Sequence, residues 1–145
     1  TKADVVQSHL EVLMEQLLET EDLQVDDDGD IGVEHASAVW WARVRPRAGA
    51  PHIEVFSVAV TDVAPDPGLL EALNDLNGRL SHCRAFHADR KVVVAGELVG
   101  EWATLDDLVC LSGEVSSTAH REGPLLVKTF GGSVARPEHV DEEDA

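Results

Sequence analysis

The sequence predicts an α+β domain in which a helix, a three-stranded meander, a second helix, a β-hairpin and a third helix follow in order, with an antiparallel sheet packed by helices. Three observations predict it. Leucines recur at helical spacing in two separate stretches. Runs of β-branched and aromatic residues are joined by segments of a few residues, too short for the crossover that parallel strands need. Two helix starts are marked by side chains able to cap them, Asp66-Pro67 and Thr104-x-x-Asp107.

Taken in order, residues 4–20 form an amphipathic helix. Val6, Leu10, Leu13 and Leu17 make its stripe, and Glu11, Glu15 and Glu19 fall off it. An acidic turn-rich loop follows, Asp26-Asp27-Asp28-Gly29-Asp30. Strands are predicted over Ile31–His35, Ala38–Arg45 and Ile53–Val63, with Pro46 closing the second and residues 47–51 forming the hairpin loop. The second helix begins at Asp66-Pro67, repeats Leu69, Leu73, Leu76 and Leu80, and ends near His82. A hairpin pairs 83–88 with 92–100 through Asp89-Arg90. Its second arm is apolar on both faces, as expected of a central strand. The third helix starts at Thr104, is expected to kink or restart at Gly123-Pro124, and stops at Gly131-Gly132. One domain over 1–132 is expected, followed by a disordered acidic tail over 133–145.

Composition narrows the function. The 145 residues include 11 Lys+Arg and 28 Asp+Glu, a net charge of −17. Such a field repels phosphate backbones and anionic membrane surfaces and favours a basic or mixed polypeptide as partner. Two cysteines, Cys83 and Cys110, make no disulfide framework. No signal peptide is in view, and no apolar run approaches the ~18–20 residues a membrane span needs, so a cytoplasmic location is expected.

Catalytic and metal templates fail. The chain has no G-x-S-x-G elbow, no P-loop and no G-x-G-x-x-G. His82, Cys83, His87 and Asp89 lie close in sequence without a ligand spacing that organises them. Asp26, Asp28 and Asp30 echo a calcium loop, but Ser37 stands where its closing Glu belongs. No cofactor, no metal and no enzymatic activity are expected.

The order of elements, the Leu-rich first helix, the Trp40-Trp41 strand with its hairpin, the Asp66-Pro67 helix with Leu69, Leu73 and Leu76, and the ending Phe130-Gly131-Gly132 resemble one family over residues 4–132. The chain resembles the type III secretion chaperone-like fold, and within it the YbjN-like proteins of bacteria. The resemblance implies a non-catalytic, dimeric module that holds a client segment in extended form on a sheet surface. Members of the YbjN branch are also described as sensory transduction regulators. That implies the alternative of a regulatory domain binding a partner protein or small ligand.

Strand parity proposes a site. Adjacent strand residues point to opposite faces, so only one of Trp40 and Trp41 can enter the helix-covered core. Trp40 shares its face with Ala38, Ala42 and Val44 and is assigned to the core. Trp41 shares the second face with Val39, Arg43 and Arg45. On the next strand Ile53, Val55, Ser57 and Ala59 make one face, and Glu54, Phe56, Val58 and Val60 the other. Neither is purely polar, so both faces look covered and a homodimer is expected. Val39, Trp41, Arg43, Arg45 and Phe56 are the expected client or dimer surface, in which an aromatic beside Arg suits an interface.

Overall fold

The computed structural model describes residues 1–135. Helix α1 (Lys2–Leu18) is followed by strands β1 (Ile31–His35), β2 (Ala38–Arg45) and β3 (His52–Thr61), helix α2 (Pro67–Asn77), strands β4 (Arg84–Ala88) and β5 (Lys91–Val99), helix α3 (Leu105–Phe130) and strand β6 (Ser133–Val134). The sheet is antiparallel in the order β1-β2-β3-β5-β4, with β6 added beside β3. This is the α+β architecture the sequence predicts. Ser133 and Val134, assigned by sequence to the tail, pair with Thr61 and Val60. The rest of the expected tail, 136–145, lies outside the described residues.

The helix ends follow from local chemistry. Thr1 and Asp4 form a capping box on α1, Asp66 accepts from the Gly68 amide at 2.7 Å, and Thr104 with Asp107 forms a second capping box on α3. In the hairpin turn, Asp89 and Arg90 both adopt positive φ, 52° and 60°. That is the mirror-image turn geometry that matches strand twist.

Two sequence expectations are corrected. α3 does not break at Gly123-Pro124; it runs on as one helix to Phe130. The reason is packing: a Cβ at Gly123 would stand 2.8 Å from the Ala59 carbonyl oxygen, so glycine lets this turn lie directly on β3. Leu126, a turn later, is buried and holds the C-terminal half in place. α2 stops at Asn77 rather than near His82, because Asn77 turns its amide onto the β4 edge. Its Nδ2 donates to Ala85 O at 2.9 Å and its Oδ1 accepts from Ala85 N at 2.7 Å. That side chain pairs with the backbone as a neighbouring strand would, which blunts one sheet edge.

All three helices contribute to a single core. Leu10, Met14, Leu69, Leu73, Leu108, Leu111 and Val115 pack against Trp40, Ala42, Ile53, Val55, Val92 and Val94. The parity reading of β2 holds: Trp40 is 4% exposed, whereas Trp41 is half-buried. On β3 it holds as far as Val58. A bulge between Val58 and Val60 shifts the register, and Val60 leaves the Phe56–Val58 row and is fully buried.

Glu114 of α3 holds the segment between α2 and β4. Its carboxylate accepts from the amides of Ser81 (3.0 Å), His82 (2.6 Å) and Cys83 (3.0 Å) and from Cys83 Sγ (3.2 Å). Burial opposes its ionisation, but these donors outweigh it and keep its carboxyl below the ordinary 4.5. Burial, then the Glu114 carboxylate, pushes the Cys83 thiol up to about 12.

A group with a depressed native pKa stabilises the fold above its unfolded value, and that stability is lost as pH falls through the native one. Glu114→Ala should therefore cost about 2 kcal/mol in urea denaturation at pH 7, with the gap to wild type narrowing below pH 4.5. A gap unchanged down to pH 3 would remove the carboxylate from this role. Ellman's reagent at pH 8 should titrate one thiol, the exposed Cys110, and reach Cys83 only on unfolding.

Candidate functional site

With the helices gathered on one side, the other sheet face carries none among the described residues. Its rows follow from the register. Trp41, Phe56, Ala95 and Arg84 lie across β2, β3, β5 and β4, and Val58, Val93 and Phe86 form the next row. Arg43, Glu54 and Glu97 form the row on the other flank. The structure thus brings Trp41, Arg43, Arg45 and Phe56 onto one surface, with Val39 at its margin on the same strand.

The centre of this face is a shallow groove of about 270 Å³. Phe56, Val58, Phe86, Val93 and Ala95 make its floor, and Arg43 and Lys91 line its sides. The Arg43 guanidinium sits 4.3 Å above the Phe56 ring, and that of Arg84 sits 5.2 Å from the Phe86 ring. Both are cation–π distances. Arg43 Nε also donates to Glu54 Oε1 at 2.7 Å, so the buried Glu54 has its counter-charge. At the strand ends Arg47 grips Glu97 with two bonds, 2.8 and 2.9 Å, and His52 Nδ1 lies 3.2 Å from the same carboxylate. The Arg47 hydrogen bond, against some burial, keeps the Glu97 carboxyl below its ordinary range.

Trp41 stands apart from the groove floor. Its indole lies flat over Gly32 of β1, where a Cβ would come within 2.9 Å of the ring. It borders a second concavity lined by Val25, Asp26, Asp30 and Gly32. Burial, then the nearby Asp26 carboxylate, raises the Asp30 pKa. The acidic loop therefore walls the β1 side of the face.

The sequence placed the β2 residues and Phe56 on this surface, put Val58 on the Phe56 face by parity, and missed the β4 and β5 residues. Phe86 and Val93 belong to it because β5 sits between β3 and β4, a strand order that no local pattern encodes. The period-2 alternation of Phe86 with Ala85 and His87 was the available signal. Gly32 was also missed, since only its register opposite Trp41 gives it meaning.

The β1 edge is unpaired among the described residues. Beside it runs a cleft of about 490 Å³ between α1, β1 and α3, lined by Leu17, Leu18, Val33, Trp40 and Val109. No three His, Cys, Asp or Glu side chains converge as a metal site among the described residues. Ser37 Oγ and His120 Nδ1 are 2.5 Å apart, but no carboxylate among the described residues orients the imidazole. No described helix is long and apolar enough to cross a membrane.

A family model described as T3SS (YopN, CesT) and YbjN peptide-binding chaperone 1, TY-Chap1, matches residues 4–138. Two solved structures share the fold. The chain in the crystal structure of the ExsC-ExsE complex is 14% identical with a TM-score of 0.63; the match covers 86% of this chain and 95% of that one. The chain in the heterodimeric ExoU-SpcU complex from the type III secretion system of Pseudomonas aeruginosa is 16% identical with a TM-score of 0.60, covering 81% and 98%. No curated protein sequence matches significantly.

The Trp41–Gly32 contact is open to direct test. Gly32→Val should displace the indole and destabilise the fold by about 1–3 kcal/mol, read by urea denaturation. Tolerance of Val without loss would show that the ring is free to move off β1.

Proposed function

The chain belongs to the family of T3SS and YbjN peptide-binding chaperones, and from that membership we propose that it holds an extended polypeptide segment on its helix-free sheet face, without catalysing a reaction. One observation supports this most: an apolar floor of Phe56, Val58, Phe86 and Val93 lies half-buried on a face that no helix covers. An extended segment presents side chains to one side at a period of two, and the rows of this face repeat at the same period. Trp41 and Arg43 extend the surface towards β1, whose free edge can take an added strand. A cytoplasmic location goes with this reading.

A second reading shares the same observation. The half-buried row could instead meet its counterpart on another copy, giving the homodimer that the sequence suggested. Mass separates the two. Light scattering at micromolar concentration giving the 15.7 kDa of one chain leaves the face free for a client, and twice that mass favours the dimer.

Crosslinking in a native lysate should capture one recurrent polypeptide, and Phe56→Ala should reduce its capture at least tenfold. Truncating an anchoring aromatic costs about 2 kcal/mol or more at an interface centre. Trp41→Ala should reduce capture as well. Unchanged capture by both variants would move the site elsewhere, to the cleft beside β1.

A further inference from the structure

The charge of the groove runs against that of the whole molecule. Arg43, Arg45, Arg84 and Lys91 all lie on the helix-free face, in a chain with only 11 Lys+Arg against 28 Asp+Glu. Three strand carboxylates fall on that face by register: Glu54 is answered by Arg43 and Glu97 by Arg47, and Glu34 lies at the β1 margin opposite Val39. Arg45, Arg84 and Lys91 make no ion pair among the described residues. Arg45 Nε is moreover buried with no hydrogen-bond partner among them.

We propose that the segment held in this groove is acidic: an extended stretch of a partner polypeptide in which carboxylates are interspersed with apolar side chains. The inference rests on the peptide-binding reading above and names the chemistry of the bound segment. Apolar side chains meet Phe56, Val58, Phe86 and Val93, while carboxylates reach Arg84 and Lys91 on one flank and Arg45 on the other. The Arg43 guanidinium is held over Phe56 by Glu54, and that of Arg84 lies near the Phe86 ring, so part of the surface is ordered before a ligand arrives.

Two competing occupants fit less well. A basic segment is what the net charge of −17 would attract at long range. At physiological salt, however, screening sets in over about 8 Å, so within the groove the local cations decide. A second copy would bring a second set of the same cations into one interface, and crowding like charges there disfavours that assembly.

The test is panning of random twelve-residue displayed peptides on the full chain, followed by fluorescence anisotropy with an enriched peptide. Enriched sequences should be net negative with apolar residues. Their binding should weaken at least fivefold between 50 and 300 mM salt. The double variant Arg84→Glu/Lys91→Glu should lose at least tenfold, with circular dichroism and urea denaturation confirming its fold. Enrichment of basic or neutral peptides that still depend on Phe56 would overturn the charge assignment and leave the peptide-binding reading standing. No enrichment, or binding indifferent to Phe56→Ala, would overturn both. Binding that emerges only when the chain is shortened to Ala135 would assign the groove to this chain's own acidic residues 138–144. A doubled mass that peptide reverses would assign it to a second copy. Either result overturns the partner assignment.

Discussion

The packing of α3 along β3 and β5 is the constraint on which the rest depends. It puts the longest helix on one face of the sheet and lets Gly123 bring helix and strand into backbone contact. α1 and α2 flank it over the same core. Three helices suffice to bury that face, and no element among the described residues covers the other. The sheet must therefore live with a face that water reaches, although its central strands are apolar on both sides.

The exposed face is kept compatible with water without being made polar. Guanidiniums lie over Phe56 and Phe86, so the rings are partly covered by groups that stay hydrated at their rims. Glu54 and Glu97 are tied to Arg43 and Arg47, which lets them sit low on the sheet. Trp41 covers the bare backbone at Gly32, filling the place of a missing side chain on the neighbouring strand. Each device leaves an apolar surface shielded yet uncovered. A surface arranged that way can be taken up by a ligand without refolding, because its cations and rings already have positions.

Local chemistry made most of the fold legible. Caps at Asp66 and Thr104, the Asp89-Arg90 turn and the leucine periodicities each specify a backbone conformation within a few residues. What escaped depends on partners distant in sequence. Pro124 breaks helices in isolation, and only the seat of Gly123 and Leu126 against the core overrides it. Asn77 reads as one more helical residue until Ala85 lies beside it. The site divided in the same way. Parity alone separated Trp40 from Trp41, but Phe86 and Val93 join the surface through a strand order that propensity does not record.

The same division governs electrostatics, and it changes what the composition means. A net charge is a sum over the surface, and 28 acidic residues dominate it. A binding face samples a few side chains within a screening length. On the helix-free face Arg43, Arg45, Arg84 and Lys91 are placed together by pairing β2 with β3, β3 with β5 and β5 with β4, with Glu54 and Glu97 held by Arg43 and Arg47. In sequence these cations lie in two acid-poor stretches some forty residues apart, 43–45 and 84–91, and strand pairing brings the two onto one face. An acidic surface coexists with a local cationic groove because the fold, not the composition, decides which charges are neighbours.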